Sequence, residues 1–166
     1  MRIFEGSGRL TLRVLASNTR ERTITALGGT NNLRGQLTAG AQPKWRLFNT
    51  LTYNSDSSRT QLAMRYIGPG VLDNRNIECT TTCPTATAAR PTINDNSIDR
   101  VTYFDLSQTF KIKAGARTAE FYGVIENLFD KDPPVAAVAS FLFPGATANF
   151  HDVIGRRFRL GFRFEY

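Results

Sequence analysis

The C-terminal segment of the chain alternates apolar and polar residues with a period of two. Its large apolar residues, most of them aromatic, are Phe158, Leu160, Phe162, Phe164 and Tyr166. The intervening residues are mainly charged, with three arginines and one glutamate. Side chains of a β-strand alternate between its two faces, so the segment predicts a strand with one apolar and one ionic face. The stretch from Arg156 to Tyr166 has the length of about 9 to 11 residues with which a tilted strand crosses a bilayer.

Five earlier segments repeat this alternation. They run from Leu10 to Ala16, Trp45 to Tyr53, Leu62 to Tyr66, Phe104 to Ile112 and Phe121 to Ile125. Asn49 interrupts the apolar face of the second one. The pattern therefore predicts six strands and an all-β, antiparallel fold, and no stretch has a helical period.

The links between these strands alternate in length. NSDSSR and KAGAR are short polar turns, whereas the other three links run from about residue 18 to 44, 68 to 100 and 130 to 154. Loops this long are uncommon in compact soluble domains. Short turns at one edge and long loops at the other are typical of outer-membrane β-barrels. Because closed membrane barrels begin at about eight strands, we expect residues 1–166 to form part of a larger barrel.

A barrel strand has a lipid face and a lumen face, and the alternation assigns residues to each. The predicted lipid-facing residues are Trp45, Leu106, Phe110, Phe158, Leu160, Phe162 and Phe164. The predicted lumen-facing charges are Arg157, Arg159, Arg163, Glu120 and Glu126. We expect the three arginines to pair with acids on neighbouring strands, including Asp105, or on a domain inside the lumen. The alternative for this basic cluster is an anionic substrate path or a contact with lipopolysaccharide.

Composition bears on the class of protein, but it does not distinguish a soluble β fold from a membrane barrel. Hydrophobic content of 41% and a mean hydropathy of −0.28 suit either a soluble protein or a barrel. The net charge of +7 comes from scattered arginines with no basic run, so nucleic-acid binding is not favoured. The start, MRIFEGSGRL, lacks the apolar core of a secretory signal. We therefore expect the coding frame to extend upstream of Met1.

Residues capable of chemistry are few. Cys79 and Cys83 lie in a polar loop without further zinc ligands, which favours a disulfide in an oxidising compartment over two free thiols. Asp130, Asp132 and the single His151 lack partners for catalysis and indicate turn and loop roles. The motifs DNRN and NDNSID contain oxygen ligands but not EF-hand spacing, so turn formation is favoured. We predict no catalytic, cofactor or metal site.

Several segments resemble TonB-dependent outer-membrane receptors. NLFDKDPP (Asn127 to Pro134), followed by a loop and by HDVIGRRFRLGFRFEY, resembles the C-terminus of that family. VTYFDLSQTFK (Val101 to Lys111) resembles its third-from-last strand, and RYIGPG (Arg65 to Gly70) is similar to a segment leaving an earlier strand. The resemblance covers residues from about Trp45 to Tyr166. His151 departs from the family pattern, in which a tyrosine precedes the aspartate.

The resemblance implies a receptor in the outer membrane of a Gram-negative bacterium. Such receptors have a barrel of about 22 strands, a plug domain inside it and an N-terminal box that engages TonB; the plug and the box are absent from this chain. Their small-molecule substrates include ferric siderophores, cobalamin, haem and carbohydrates, and the substrate here is unknown. Further partners would be outer-membrane lipid and the barrel-assembly machinery, which we expect to recognise Tyr166. The alternatives are a non-energised structural or adhesive barrel protein and a soluble β-sandwich.

Overall fold

The described part of the protein is entirely β-structure and loop. We analysed a computed structural model, in which residues 8–26, 29–38, 40–114, 117–136 and 150–165 are described. The strands in these ranges are β1 (Arg9–Asn18), β2 (Thr23–Ala26), β3 (Gly29–Asn32), β4 (Trp45–Asn54), β5 (Ser58–Ile67), β6 (Gly70–Val71), β7 (Ile77–Glu78), β8 (Thr92–Ile93), β9 (Ser97–Ile98), β10 (Val101–Ala114), β11 (Arg117–Glu126) and β12 (Arg157–Glu165). No helix in these ranges is long and apolar enough to cross a bilayer.

Six long strands form one antiparallel sheet in the order β1-β4-β5-β10-β11-β12. These are the six strands that the alternation predicts, with longer bounds at most ends. Strands β1 and β12 are the two edges of this sheet, and the described residues do not pair them with each other. The six-stranded antiparallel sheet is therefore confirmed, and within the described residues it is open and not a closed barrel.

The pairing register collects apolar residues on one face of the sheet. One row crosses all six strands through Leu12, Leu51, Leu62, Leu106, Ile125 and Phe158. Two rows further towards the turn edge, Phe110, Phe121 and Phe162 align on β10, β11 and β12, and Gln108, Gly123 and Leu160 form the row between. A shift of one residue in any pair would move a whole strand's apolar set to the opposite face. The register thus gathers most large apolar residues on one face, which also carries Asn49, Thr60 and Gln108, and places most charged residues of these strands on the other face.

The connections divide between two edges of the sheet. Residues 55–57 join β4 to β5 in a tight turn, in which Ser55 N–H donates to the Ser58 carbonyl at 2.8 Å. The second short link, residues 115–116, lies outside the described residues. The three long links all leave the opposite edge, because β1, β5 and β11 end there and β4, β10 and β12 begin there.

The long links contain ordered structure that sequence periodicity missed. The six strands counted from sequence leave out six short ones, because two of the long links carry the β2–β3 hairpin and the β6–β9 and β7–β8 pairs. Strands of two to four residues are too short to show an alternation, which explains the omission. The parallel β7–β8 pair also joins segments separated by a long stretch of chain, which local sequence cannot indicate.

The buried core of the described residues is small and lies at the loop edge. It consists of Leu37, Ile67, Leu72, Ile98, Val101, Tyr103 and Ala136, with Ile93 and Phe150 packed against it. Ile67, Val101 and Tyr103 come from the polar face of β5 and β10, and the other members come from the long links. The loops therefore fold over the polar face at one end, while on the apolar face Phe129 packs edge-on against Phe104 and the large residues of β1 and β12 stay exposed.

Candidate functional site

A network of charged side chains occupies the polar face beneath the loops. Arg65 on β5 binds Asp105 on β10 in a bidentate pair, with Nε–Oδ2 at 2.8 Å and Nη2–Oδ1 at 3.1 Å. Ala63 is the register partner of Asp105 and Tyr103 that of Arg65. The small Ala63 side chain lets Arg65 reach diagonally to the carboxylate. The guanidinium also lies 5.2 Å from the centre of the Tyr103 ring, within cation–π distance.

Asp152 ties the last long link to this network. Its backbone N–H donates to the hydroxyl of the fully buried Tyr103 at 3.2 Å. Its Oδ1 accepts backbone N–H bonds from Ile154 and Gly155 at 3.1 and 3.3 Å. Its Oδ2 lies 4.0 Å from Nη2 of Arg65 and 3.7 Å from Nη2 of Arg157. The two arginines therefore compensate the negative charge of this buried carboxylate.

The arginines of β12 pair with glutamates of β11. Arg157 Nη2 lies 3.0 Å from Glu126 Oε2, and Arg159 binds the other oxygen of Glu126. Arg163 Nη1 lies 3.5 Å from Glu120 Oε2. Glu126 and Arg157 are register partners, as are Glu120 and Arg163. Opposite charges across a strand pair stabilise an antiparallel ladder. The predicted pairing of the three arginines with Glu120 and Glu126 is present, whereas Asp105, the third predicted acid, binds Arg65 on β5 instead.

The segment after β11 forms a hydrogen-bonded corner. The fully buried Asn127 has a φ of +52°, and its N–H donates to Asp105 Oδ1 at 2.9 Å. Its amide oxygen accepts from Lys131 N–H at 2.9 Å, and its amide group donates to the Lys131 carbonyl at 3.0 Å. Asp130 Oδ1 accepts the backbone N–H of Arg156 at 2.8 Å. Asn127 and Asp130 thus satisfy backbone N–H groups of this corner, as the sequence predicts for Asp130, and the bond of Asp130 to Arg156 fixes the entry to β12.

A cavity of about 300 Å³ opens above the charged network. Its lining combines Arg65, Asp152 and Arg157 with Phe150, His151 and Ile154. His151 lies in the link before β12, as predicted, and is buried. The network was missed from sequence as a unit, although Arg65 and Asp105 each belong to polar positions of predicted strands. The sequence predicts that each of these residues lies on a strand. It does not predict the register between the strands, which is what brings the side chains into contact.

A second cavity of about 350 Å³ lies between the β2–β3 hairpin and the segment after β6. Its lining is almost entirely polar: Thr30, Asn31, Asn32, Gln36, Asp73, Asn74 and Arg75, with Leu33. Asn74 Nδ2 donates to the carbonyls of Asn32 and Arg34 at 2.7 and 3.2 Å and so ties the two segments together. This cavity places amides, hydroxyls and a guanidinium at the loop edge, where they can donate to and accept from a polar ligand.

The Asp and Asn motifs of the second long link act as turn formers. Asp73 receives the backbone N–H and the guanidinium of Arg75, and these hydrogen bonds lower the pKa of its carboxyl. Asp95 accepts the hydroxyl and N–H of Ser97 at 2.7 and 2.8 Å, which lowers its pKa likewise. In the described ranges, no group of three or more His, Cys, Asp or Glu side chains could hold a metal ion. The carboxylates bind donors of their own turns.

A disulfide joins Cys79 to Cys83 in this same link, with their Cα atoms 5.5 Å apart. Cys79 N–H donates to the Ile93 carbonyl at 2.9 Å, next to the β7–β8 pair. The bridge therefore closes the start of the exposed segment at residues 80–90.

The predicted lipid-facing residues lie together on the apolar face. Phe110, Phe158, Leu160, Phe162, Phe164 and Trp45 are each at least half exposed, and Leu106 belongs to the row that crosses all six strands. The five predicted lumen-facing charges lie on the opposite face. Tyr166, which we expect the assembly machinery to recognise, lies outside the described residues. The medium that contacts each face remains a prediction.

Comparison with protein-family models, with curated proteins and with solved structures found no match for this chain.

Proposed function

We propose that this chain is the C-terminal barrel portion of a TonB-dependent outer-membrane receptor that takes up a scarce nutrient. The observation that carries the proposal is the exposed apolar face. Leu12 and Phe158 are 66% and 67% exposed, and they end the apolar row that crosses all six strands; Leu160 on the same face of β12 is 75% exposed. Soluble monomers rarely expose an apolar patch larger than a few hundred Å². A bilayer would cover this face without any partner protein.

The open edges support a larger barrel. In hydrocarbon, each unpaired N–H or C=O of an edge strand costs several kcal/mol. Strands β1 and β12 both present such edges in the described sheet. Further strands between these edges would close the ladder and satisfy both of them. The barrel of about 22 strands implied by the family resemblance has this form.

The loop edge supports ligand capture from outside the cell. Three long links with their own core and a polar cavity of about 350 Å³ lie at one edge, while a tight turn closes β4 to β5 at the other. Outer-membrane barrels have long extracellular loops and short periplasmic turns. The polar face and its charged network would then line the lumen, where a plug contacts them. Energy would reach the plug from TonB through an N-terminal region outside this chain.

Spin labels at adjacent residues test which face meets lipid. Leu160 and Arg159 are neighbours on β12 and lie on opposite faces of the sheet. A nitroxide at position 160 of the natural gene product in liposomes should collide with oxygen, which dissolves in lipid. A label at position 159 should collide instead with a water-soluble nickel complex. Equal access of both quenchers at the two positions would overturn the membrane assignment.

Energised uptake requires a separate test. The proposed receptor should bind its nutrient with and without TonB but accumulate it inside cells only when TonB and the proton gradient are intact. A structural or adhesive barrel would pass the spin-label test and yet show no TonB-dependent accumulation. A gene product without plug and TonB box that supports no uptake would favour that alternative.

A further inference from the structure

A pocket of about 330 Å³ lies on the polar face of the sheet, between the edge strand β1 and the small buried core at the loop edge. Its lining includes residues from two neighbouring rows of β1, β4 and β5, with Leu15, Phe48 and Arg65 in one row and Ser17, Arg46 and Ile67 in the next row towards the loops. Phe150 of the last long link lines it as well. Three strands and one loop therefore build this pocket together.

Two apolar side chains in the pocket differ from the character of their face. Leu15 and Phe48 are register partners on the face that carries most charges, yet they are 52% and 41% exposed. Ile67 belongs to the buried core and Phe150 packs against it. The pocket thus extends the apolar surface of that core to residues that stay open. Concave, mainly apolar sites with a few polar groups are typical of small-molecule binding, usually at volumes of about 300–1,000 Å³.

Arg46 gives the pocket a positive charge without an acidic partner. The guanidinium of Arg65 is bound to Asp105 at 2.8 and 3.1 Å. Arg46 is exposed, and in the described part of the chain no carboxylate lies within ion-pair distance of it. Its register partner Ser17 adds a hydroxyl in the same row. A ligand with one anionic group would therefore find a counter-charge in the row near the loops and apolar contacts in the row below.

We propose that this pocket binds an aromatic monocarboxylate. The carboxylate accepts hydrogen bonds from the guanidinium of Arg46 and the hydroxyl of Ser17. The ring contacts Leu15, Phe48 and Phe150, and aromatic rings pack favourably against phenyl side chains. A neutral ligand would leave the charge of Arg46 unused, and a small inorganic anion would leave the apolar wall exposed.

The proposal rests on the proposed function, because the polar face must be open to water for a ligand to enter. It adds to that function the chemical class of a molecule that this wall of the lumen recognises. Its failure is distinguishable from failure of the membrane assignment, since the spin labels at positions 159 and 160 test the membrane without involving the pocket.

Two naphthalene probes that differ in charge test the pocket. Naphthoate is a monoanion at neutral pH, and naphthamide is its neutral counterpart. The natural gene product in nanodiscs is titrated with each probe, and Kd is measured by saturation-transfer difference NMR with empty nanodiscs as the background. Hydrogen bonds to charged groups are stronger than neutral ones, so we expect naphthoate to bind about ten-fold more tightly than naphthamide.

A matched pair of variants isolates the charge of Arg46. Arg46→Gln should weaken naphthoate binding about ten-fold and leave naphthamide binding unchanged. Arg59→Gln removes the same charge from the polar face of β5 outside the pocket and should change neither Kd. Leu15→Asn tests the apolar wall and should weaken both probes several-fold. Leu15 is exposed, so the sheet should tolerate this change.

Three results would overturn the proposal. The first is equal affinity of the parent for both probes, or an equal loss in Arg46→Gln and Arg59→Gln. The second is unchanged binding of both probes to Leu15→Asn, which would place them elsewhere. The third is no signal above that of empty nanodiscs, which would mean that another part of the full-length protein fills the pocket.

Discussion

A lysine placed at Leu106 should destabilise the protein far more than a lysine placed at Ser107. Leu106 lies in the apolar row that crosses the sheet, and Ser107 points to the opposite face. If the apolar face meets lipid, Leu106→Lys costs about 2–4 kcal/mol near the middle of the bilayer. Ser107→Lys should change the free energy of unfolding by less than about 0.5 kcal/mol, because surface changes in a water-filled lumen have small effects.

The cost should also fall along the strand. Ile112 is on the same face of β10 as Leu106, six residues further on. At about 3.3 Å per residue and a tilt of about 40°, this separation corresponds to roughly 15 Å along the membrane normal. That is half of a hydrocarbon core of about 30 Å, so Ile112→Lys should cost only about 0–1 kcal/mol.

Denaturant titration of the natural gene product refolded in lipid vesicles would measure these differences, and heat-dependent gel mobility would provide a second readout. All three variants place a lysine on the same paired strand, β10. The effect of lysine on strand propensity is therefore common to them and cancels when their unfolding free energies are compared. Equal costs at Leu106 and Ser107 would refute the assignment of faces. A cost at Ile112 equal to that at Leu106 would refute the depth argument and with it the membrane as the medium.

Three further predictions follow from the same geometry. Phe162→Asp should lower the free energy of unfolding by on the order of 2 kcal/mol, whereas Arg163→Gln removes an exposed ion pair and should cost about 1 kcal/mol or less; similar costs in vesicle unfolding would contradict this. Cys79 and Cys83 should resist alkylation in the purified, unreduced protein, and mass spectrometry that finds two modified thiols would disprove the disulfide in the natural protein. Tyr103→Phe removes the acceptor of a buried backbone N–H and should cost about 1–3 kcal/mol, seen as faster proteolysis of the link before β12 with the sheet intact; unchanged proteolysis would contradict it.

The strands and their two faces followed from sequence because the signal is local. An alternation such as that from Phe158 to Phe164 needs only neighbouring residues, and the pleat of a strand converts it directly into two faces. The long and short links followed for the same reason, since strand positions alone give their lengths. The turn role of Asn127 was also local, because its side chain accepts the N–H of Lys131, whereas the bond from Arg156 to Asp130 joins residues far apart in sequence.

Tertiary structure decided what depends on contacts distant in sequence. The bond between Arg65 and Asp105 and the approach of Asp152 to Tyr103 arise only when β5, β10 and the last link share one register. The strands inside the long links are too short to show an alternation of apolar and polar residues. Their pairing, such as that of Ile77 with Thr92, is therefore visible only in the structure. Gly68 N–H donates to the Trp45 carbonyl only because the register of β4 and β5 places the two residues opposite each other. Composition and period specify which side chains share a face, but only the register specifies which of them meet.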